Sequence, residues 1–510
     1  MNPPRPVPGR PPVAVILAAG LGTRMRSRTP KVLHTLCGRP MLAFVLDAAH
    51  AATGARPLVV YSPATERVLD AFLDEADFAL QAEPRGTGDA LRAALAALPP
   101  DVEELLVLSG DVPLVDPDAL VSLLDARRAA AAAITLVAVD ALDPRGLGRI
   151  VRDGDGGIAR IVEEKDAAPA ELELTEINAG LYALDAVWLR RRLPDLRPSP
   201  ATGEVYLTEL VALARADSRP ATTLDVEDDG RLLGVNDRAQ LHDAERDLRF
   251  EINARHMAAG VTIRDVSTAY IDADVVLATD VVIEPNVVLR GRTRIGEGTT
   301  IGPDSEIADS VVGRDCRIWA SVVERSEIED EVVIGPFSHL RPGSSIGRGV
   351  ELGNYAEVKN SRLEPGVKQH HVSYLGDAHV GERTNIGAGT ITANYDGRRK
   401  HPTTIGAGVF LGVDTMLVAP VSIGDEAKTG AGAVVTHDVD AGMLVVGVPA
   451  RARPRRDEAA AAGDAAFTGD ATPTDDATTT VGPTATGEAH TDPDGGIAGR
   501  AVPGADATTR

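Results

Sequence analysis

A glycine-rich, cationic stretch follows the first apolar run of the chain. Residues 17–34, LAAGLGTRMRSRTPKVLH, come almost directly after VAVI and contain Gly20, Gly22, Arg24 and Lys31. Glycines after a buried strand let the backbone approach a ligand closely, and its N–H groups can then bind phosphate. The stretch lacks the Gly-Lys-Ser/Thr of a P-loop, and a methionine stands where a dinucleotide fingerprint needs its third glycine. From these residues alone, an anion-binding loop and a surface turn with solvated charges are both open.

Two further groups carry side chains suited to chemistry. Asp111 follows the apolar run LLVLSG. A carboxylate at the C-terminal end of a strand is a common Mg²⁺ anchor, and a turn or N-cap role is the alternative. His370, His371 and His379 lie close together in the chain, and such histidines can act as a general base or bind zinc. Their tight spacing disfavours a zinc site of the kind found in β-helical carbonic anhydrases, whose ligands are more widely placed.

Composition limits the classes of protein to consider. A chain of 510 residues is too long for one ordinary core, so two or three domains are expected. The net charge of -23 argues against a general nucleic-acid surface, which needs clustered Lys and Arg. Cys37 and Cys316 lie far apart, as in a protein of a reducing compartment. No apolar run is long enough for a membrane span, and the Pro-rich start lacks the apolar segment of a signal peptide. We therefore expect a cytoplasmic protein that contacts neither membrane nor nucleic acid.

The first half of the chain alternates short apolar runs with helix-like segments. VAVILA, PLVV, ELLVLS and ITLVAV have the composition of strands, and MLAFVLDAAHAA and DALRAALAAL have helical spacing. This alternation predicts βαβ units and a mostly parallel sheet. Leu241, Ala244, Leu248 and Ile252 then recur at intervals of three and four residues, which predicts one linking helix that ends at Gly260.

Beyond the linking helix, aliphatic residues recur every six positions. A period of six fits neither a helix nor a flat strand, and it is typical of a hexapeptide β-helix, with one inward aliphatic residue per hexad. Such coils of about 18 residues would number roughly ten over residues 261–440, and they are left-handed, an exception to the crossover rule. The positions are Ile283, Leu289, Ile295, Ile301 and Ile307; Val322, Ile328, Ile334, Leu340, Ile346, Leu352 and Val358; and, after ANYDGRRKHP, Ile405, Leu411, Leu417, Ile423, Thr429 and Val435.

The end of the chain has a different composition. Residues 457–510 contain ten Asp or Glu, two Arg and one aromatic residue, so they offer too little apolar surface to offset the entropy of ordering. The predicted organisation is a disordered leader at 1–12, an α/β domain at 13–236, a linking helix at 237–260, a β-helix at 261–450 and a disordered acidic tail at 451–510.

Several long motifs carry a family resemblance. LAAGLGTRMRSRTPKVLHTLCGRPML resembles the signature of sugar-phosphate nucleotidyltransferases, and QAEPRGTGDAL, LSGDVPL, GRIV, IVEEKDA, EINAG and GVND follow in that family's order. The β-helix carries LRPG, GNYAEVKNSRL, HHVSYLGDAHVGERTNIGAGTITANYDG and VFLGVDTMLVAP. From about residue 13 to 450 the chain resembles the bacterial bifunctional N-acetylglucosamine-1-phosphate uridylyltransferases/glucosamine-1-phosphate acetyltransferases. The implied fold class is α/β, with a Rossmann-like nucleotidyltransferase domain and a left-handed parallel β-helix.

The resemblance implies a Mg²⁺-dependent site for uridylyl transfer from UTP. The anion that meets the cationic loop is then the triphosphate of UTP. The matching residues are Arg24 and Lys31 for the phosphates; Leu17, Ala18, Ala19, Gly20, Ser109 and Gly110 for the nucleotide; Gln81, Gly86 and Thr87 for uracil; Asp111 and Asn236 for Mg²⁺; and Gly148, Glu163 and Asn178 for the amino sugar. Glu163 and its neighbour Glu164 could equally form a solvated charge pair.

The resemblance also implies an acetyl-transfer site in the β-helix. Acetylation of an amine needs a base for its proton and support for an oxyanion. The matching residues are His371 as the base; Arg341 and Lys359 for the sugar phosphate; Tyr374 and Asn385 for the sugar; and Ala388, Asn394, Tyr395, Val413 and Ala431 for acetyl-CoA, with the Ala388 N–H as a plausible oxyanion donor. The loop ANYDGRRKHP breaks the coil, and such insertions commonly build a site.

Three positions depart from the family pattern. Ala179 stands where Thr is frequent, Val413 stands where Ser is usual, and Gly447 stands where Arg usually precedes Val-Pro. The second and third departures concern contacts with the coenzyme, so the affinity for acetyl-CoA is where we expect this chain to differ from its family.

The predicted function is the synthesis of UDP-N-acetylglucosamine from glucosamine 1-phosphate, with N-acetylglucosamine 1-phosphate as the intermediate. The resemblance implies a homotrimer that assembles through the β-helix, with acetyl-transfer sites shared between subunits. One alternative is a nucleotidyltransferase whose β-helix only assembles subunits, and His371, Arg341 and Lys359 argue against it. The other is a non-catalytic regulator that binds sugar nucleotides; it would tolerate loss of Asp111, Asn236 and Lys31, and all three are present.

Overall fold

The computed structural model describes residues 10–453 other than 201, 220, 229 and 233. Residues 1–9 of the predicted leader and residues 454–510 of the predicted tail lie outside the described residues. At the start of the described chain, the Arg10 guanidinium forms an ion pair of 3.0 Å with Asp101.

The N-terminal part is an α/β layer structure. Its strands are β1 (Val13–Leu17), β2 (Thr35–Leu36), β3 (Arg39–Pro40), β4 (Leu58–Tyr61), β5 (Asp77–Leu80), β6 (Glu104–Ser109), β7 (Ile134–Asp140), β8 (Gly148–Arg152), β9 (Ile158–Val162), β10 (Glu176–Asp185) and β11 (Thr222–Val226). Its helices are α1 (Met41–Thr53), α2 (Arg67–Phe72), α3 (Thr87–Ala97), α4 (Pro117–Ala130), α5 (Pro169–Leu172), α6 (Ala186–Arg192) and α7 (Leu210–Ala216). The predicted strands and the two predicted helices are all present.

The main sheet has the order β11-β7-β10-β6-β1-β4-β5. Strands β6, β1, β4 and β5 pair in parallel, as the βαβ pattern predicts. Strand β10 lies between β6 and β7 and is antiparallel to both. It also pairs with β8, which forms a hairpin with β9. The sheet is therefore mixed on its β10 side, which the sequence pattern did not indicate.

The linking helix is α8 (Arg238–Ala258), and the Asp237 carboxylate caps it by accepting hydrogen bonds from the Ala239 and Gln240 backbone N–H groups. The four residues predicted to form its apolar stripe, Leu241, Ala244, Leu248 and Ile252, are buried. They share one core with Met25 of the cationic loop and with the first coils of the β-helix.

The C-terminal part is a β-helix with three parallel sheets, which we call the first, second and third faces. The first face holds Thr262–Ile263, Val282–Ile283, Thr300–Ile301, Arg317–Ile318, Val333–Ile334, Glu351–Leu352, Lys368–Gln369, Asn385–Ile386, Phe410–Leu411, Lys428–Thr429 and Leu444–Val446. The second face holds Tyr270–Ile271, Val288–Arg290, Glu306–Ala308, Val322–Glu324, His339–Arg341, Ala356–Lys359, Ser373–Gly376, Ile391–Ala393, Met416–Val418 and Val434–Val435. The third face holds Val276–Leu277, Arg294–Ile295, Val311–Val312, Glu327–Ile328, Ser345–Ile346, Arg362–Leu363, Ala378–Val380, Thr403–Ile405 and Val421–Ile423.

The hexad positions point into the coil as predicted, with one exception. Val322 is 38% exposed, and its neighbour Val323 is the buried residue. The predicted six-residue step from Val322 to Ile328 is wrong because several turns are one residue shorter, so that Ile318, Val323 and Ile328 succeed one another at intervals of five. The ten strands of the second face agree with the predicted number of coils.

The β-helix ends with one antiparallel pairing. Arg451–Arg453, assigned from the sequence to the disordered tail, form a strand that pairs with Leu444–Val446 on the first face. Backbone hydrogen bonding orders these three residues although their side chains are exposed, so they are not disordered as predicted.

Candidate functional sites

The carboxyl ends of four parallel strands form one edge of the α/β sheet. Residues 17–20 lie at the C-terminal end of β1, Gln81 directly follows β5, and residues 109–111 lie at the C-terminal end of β6. The Gly110 N–H donates to the Leu17 carbonyl at 3.0 Å, and the Ala18 N–H donates to Val60 at 2.9 Å. The predicted nucleotide-contacting residues Leu17, Ala18, Ala19, Gly20, Ser109 and Gly110 are thus brought together, with exposed backbone at Gly20.

Four side chains from distant parts of the sequence converge beside this edge. The Lys31 ammonium group forms an ion pair with Asp111 and donates to Asn236 Oδ1 at 3.1 Å. The Arg24 guanidinium donates to the same Oδ1 at 2.8 Å. One face of the sheet edge therefore holds two cations, one carboxylate and one amide oxygen within hydrogen-bonding distance.

The cationic loop reaches this position because of a glycine. Gly22 has φ 59°, and a Cβ there would lie 2.6 Å from Lys31 Cβ. A side chain would therefore push Lys31 away from Asp111. Met25 anchors the other side of the loop in the core that it shares with α8.

The oxygens of Asp111 and Asn236 suit a small divalent cation. Both bind the same Lys31 ammonium group, so they already converge on one positive centre. Oxygen ligands are the ones that Mg²⁺ prefers, and its remaining positions are commonly filled by substrate phosphates and water. Within the described residues no group of three His, Cys, Asp or Glu side chains is placed to hold a metal, so these two residues could supply at most part of a coordination shell.

The predicted uracil-reading segment has a fixed shape. Gln81 is buried, and its Nε2 donates to the Gly86 carbonyl at 3.1 Å and to Asp89 at 2.9 Å. The Thr87 hydroxyl accepts a hydrogen bond from the Leu207 N–H at 3.0 Å. Gly86 has φ 107°, a conformation that favours glycine. The segment thus packs against the short 3-10 helix Leu207–Glu209 that directly precedes α7.

The predicted sugar-binding residues lie around the β8–β10 sheet extension. A Cβ on Gly148 would lie 3.6 Å from the Glu163 carboxylate oxygens, and the Asn178 amide donates to the Tyr182 hydroxyl at 2.5 Å. Burial raises the pKa of Glu163, while a 3.2 Å hydrogen bond from Thr208 acts in the opposite direction. Glu163 is therefore partly buried against Thr208, and it does not form a solvated pair with Glu164, whose carboxylate accepts from the Gly146 N–H.

In the β-helix, one corner collects four predicted residues. His371, Ala388, Val413 and Ala431 occupy successive turns between the first and second faces. The Asp414 N–H donates to Ala388 at 2.7 Å and the Gly432 N–H donates to Val413 at 2.8 Å, which holds these turns in one column. We call this column the histidine corner.

Of the other two histidines, His370 lies beside His371 at the corner, with ring centroids 6.5 Å apart, and His379 lies on the third face. His370 Nε2 lies 2.8 Å from Glu351, and His379 Nε2 lies 3.0 Å from Glu364 on the third face. Each is thus paired with its own carboxylate, and the imidazole of His371 is exposed to solvent at the corner.

A cationic cluster lies at the far ends of the second-face strands. Arg341 and Lys359 are register partners on adjacent strands. Contact with Lys400, together with repulsion from Lys400 and Arg341, lowers the pKa of Lys359. Arg341 also pairs with Glu357 at 2.9 Å. Three cations so close together in an acidic chain form a good site for a phosphate dianion.

The remaining predicted acetyl-site residues do not all lie at the histidine corner. Tyr374 lies on the second face with its hydroxyl next to Gly376 and the Asn394 amide. Asn394 donates to Asp377 at 2.5 Å, and Tyr395 is 61% exposed in the loop that follows. Asn385 lies on the first face. Asn394 and Tyr395 are therefore separated from Ala388 and the histidine corner by the strand Ile391–Ala393.

Sequence reasoning did not name Lys400 or Thr208. Lys400 belongs to the insertion ANYDGRRKHP, whose run of three basic residues was the available signal. The loop folds back because the Asp396 carboxylate accepts from the Arg398 and Arg399 N–H groups and binds His401, contacts that lower the pKa of Asp396 to about 2. Nothing in the sequence alone marked Thr208 as the partner of Glu163.

No helix in the described part of the chain is long and apolar enough to cross a membrane.

Comparison with known proteins matches both halves of the chain. Residues 14–172 match the MobA-like NTP transferase domain. Residues 325–360 match the bacterial transferase hexapeptide (six repeats), and residues 402–437 match the hexapeptide repeat of succinyl-transferase.

Three relatives that cover most of the chain share one name. The bifunctional protein GlmU of Mycolicibacterium vanbaalenii is 45% identical over 440 residues, covering 85% of this chain and 89% of its own. The protein of that name from Mycobacterium tuberculosis is 44% identical with the same coverage. The one from Heliobacterium modesticaldum is 43% identical over 85% of this chain and 94% of its own. With an NTP transferase match followed by hexapeptide matches, and with this identity over most of its length, the chain belongs to the family of bifunctional GlmU proteins.

Proposed function

We propose that this chain makes UDP-N-acetylglucosamine in two steps. The β-helix transfers an acetyl group from acetyl-CoA to glucosamine 1-phosphate, and the α/β domain then couples N-acetylglucosamine 1-phosphate to UTP and releases pyrophosphate. The observation that carries the proposal is that an acidic chain holds two separate cationic clusters. One of them meets Asp111 and Asn236, and the other lies on the face that leads to His371.

Uridylyl transfer requires a sugar-phosphate oxygen to attack the α-phosphorus of UTP. That oxygen is already ionised, so repulsion between anions is the main barrier and positioning with charge neutralisation supplies most of the catalysis. Arg24 and Lys31 neutralise the phosphates, Gln81, Gly86 and Thr87 hold the uracil ring, and Gly148, Glu163 and Asn178 hold the amino sugar.

Asp111 and Asn236 hold Mg²⁺ in this proposal. With a cation on Asp111 and Asn236, the Lys31 ammonium group would be available to bind the phosphates of UTP. When bound, Mg²⁺ stabilises the charge that builds up on the phosphate oxygens. Backbone at Leu17, Ala18, Ala19, Gly20, Ser109 and Gly110 fixes the nucleotide beside it.

Acetyl transfer requires the sugar amine to attack the thioester carbonyl. His371 removes the proton of the amine, the thioester C–S bond breaks, and the sulfur leaves as the thiol after it takes up a proton. The Ala388 N–H supports the oxyanion. Arg341 and Lys359, joined by Lys400, hold the phosphate, Tyr374 and Asn385 contact the sugar, and Val413 and Ala431 line the path of the coenzyme.

The positions of the coenzyme residues support a shared site. Asn394 lies six residues beyond Ala388, at the opposite end of the second-face strand Ile391–Ala393, and three strand residues span roughly 10 Å. We propose that Asn394 and Tyr395 contact a coenzyme held at the histidine corner of a neighbouring subunit. A homotrimer assembled through the β-helix provides this arrangement.

The proposed domain limits are 13–236, 237–260 and 261–450. The proposed location is the cytoplasm, since UTP and acetyl-CoA are both cytoplasmic substrates.

Two substitutions test the division of labour. Asp111→Asn should abolish pyrophosphate release from UTP and leave thiol release from acetyl-CoA at the wild-type rate. His371→Ala should lower thiol release by about 10²–10⁴-fold, the usual contribution of a general base, and leave uridylyl transfer intact when N-acetylglucosamine 1-phosphate is supplied. Near-wild-type acetylation by His371→Ala would refute the base assignment. Loss of both activities in one folded variant would refute two independent sites.

A further inference from the structure

Three polar side chains interrupt the aliphatic interior of the β-helix. At the hexad position that fills the coil, the strands of the three faces carry Ile, Leu or Val throughout the described residues, except at Gln369, Thr392 and Thr429. These three are at most 3% exposed. All of them lie in the coils that build the histidine corner, and the preceding coils have none.

Gln369 is the least expected of the three. It is fully buried on the first face, and the residues before and after it at the same position are Leu352 and Ile386. Its Nε2 donates to Ser373 Oγ at 2.9 Å, but its Oε1 accepts no hydrogen bond from the described residues. A buried amide oxygen without a partner costs stability. An aliphatic residue would fit this position better if packing were its only role.

The Gln369 amide begins a hydrogen-bond chain that ends on the backbone of His371. Ser373 Oγ accepts from Gln369 and donates its single proton to the His371 carbonyl oxygen at 2.8 Å. Bonds linked in this way polarise and strengthen one another. The next coil holds the same turn from the other side, because the Gly389 N–H donates to the Val372 carbonyl at 2.7 Å.

The other two inward polar residues also bind backbone. Thr392 Oγ1 accepts from the Gly376 N–H at 2.7 Å, and Thr429 Oγ1 accepts from the Gly412 N–H at 2.8 Å, next to Val413. At the hexad positions, polar side chains therefore occur only in those described coils that carry residues proposed for acetyl transfer.

We propose that Gln369 is a positioning residue for acetyl transfer: through Ser373 it fixes the turn that aims the His371 imidazole at the sugar amine. This inference rests on the proposed role of His371 as the general base. A displacement of about 1 Å at a reacting group can cost up to 10²-fold in rate, so loss of the chain should lower kcat with little effect on substrate binding.

The test uses Gln369→Met, which keeps the length of the side chain, and Ser373→Ala, both in the full-length protein. We expect each variant to lower kcat of acetyl transfer at least tenfold, with the KM for glucosamine 1-phosphate within twofold of wild type. Uridylyl transfer should be unchanged. The melting temperature of Gln369→Met should equal or exceed that of wild type, since an unpaired polar atom is removed. Ser373→Thr keeps the hydroxyl, so its kcat of acetyl transfer should equal that of the wild type, unlike that of Ser373→Ala.

Ser321→Ala is the matched control. Ser321 Oγ donates to the Trp319 carbonyl at 2.8 Å with the same spacing as Ser373 to His371, but in a coil without acetyl-site residues. It should leave acetyl transfer unchanged. The double variant Gln369→Met/Ser373→Ala should be no slower than the slower single variant, because both act through one chain.

A wild-type kcat in Gln369→Met overturns the inference, and so does an equal loss in Ser373→Ala and Ser321→Ala. If Gln369→Met does not fold, the comparison of Ser373→Ala, Ser373→Thr and Ser321→Ala decides alone. His371→Ala distinguishes failure of the general-base proposal from failure of the positioning proposal. An active His371→Ala refutes the role of His371 as the base. An inactive His371→Ala together with a Gln369→Met variant of wild-type kcat refutes only the positioning role of Gln369.

Discussion

Replacing Gly86 by alanine should damage the uridylyl-transfer site through backbone strain. Gly86 has φ 107° and ψ 175°, a conformation that L side chains rarely adopt. A Cβ there would lie 2.5 Å from the Val205 carbonyl oxygen and 2.9 Å from its nitrogen. Both distances are shorter than van der Waals contact, so the loop must move away from Val205.

The free-energy cost of Gly86→Ala is the backbone strain plus the loss of the two hydrogen bonds that the movement of the loop breaks. Residues held in such a backbone conformation cost about 1–3 kcal/mol. The Gly88 N–H donates to the Val205 carbonyl at 2.8 Å, and the Val205 N–H donates to Arg85 at 2.7 Å. Each of these two bonds contributes about 0.5–1.5 kcal/mol. The total is about 2–6 kcal/mol, which the protein loses as stability of the domain, as affinity for UTP, or as both.

The assay follows pyrophosphate release against UTP concentration, with the melting temperature measured on the same sample. We expect the KM for UTP to rise at least tenfold or the melting temperature to fall by several degrees. Thiol release from acetyl-CoA should not change, because its residues lie in the β-helix. Gly154→Ala is the control, since a Cβ at this exposed turn meets nothing within 4 Å. A Gly86→Ala protein with wild-type melting temperature and wild-type KM for UTP would refute the reasoning.

Two further substitutions test single contacts. Thr208→Val removes a hydrogen bond that lowers the pKa of Glu163 against the effect of burial. The pKa of Glu163 should therefore rise further, and the acidic limb of the pH profile of uridylyl transfer should move to higher pH. An unmoved limb would mean that Glu163 need not be ionised. Val413→Ser introduces a hydroxyl at a half-exposed position of the histidine corner. One added hydrogen bond to the coenzyme, worth about 0.5–1.5 kcal/mol, should lower the KM for acetyl-CoA severalfold. An equal or higher KM would mean that other contacts hold the coenzyme.

The sequence pattern alone indicated most of the elements. The six-residue period predicts a β-helix because each hexad repeats one local geometry with one inward aliphatic side chain, so no distant contact is needed to recognise it. The same holds for α8, whose apolar stripe follows from helical spacing. The order of the long motifs, in turn, was enough to place the chain in its family.

The tertiary structure decided the features that depend on contacts between distant residues. Strand β10 is antiparallel because it enters between β6 and β7 after the β8–β9 hairpin, and local periodicity carries no information on strand order or direction. Val323 replaces Val322 inside the coil because turns of different length shift the register, which a fixed period cannot follow.

For the sites, residue type and motif identified candidates, and the fold determined which of them meet. Lys31, Asp111 and Asn236 converge because three separate loops leave the sheet at one edge. Lys400 joins Lys359 because the insertion folds back onto the second face. The sequence by itself determined that the chain carries a nucleotidyltransferase loop, a hexapeptide coil and a histidine suited to base catalysis. Only the tertiary structure decided that a buried glutamine supports that histidine, since the hydrogen-bond chain through Ser373 exists only once the coil closes around Gln369.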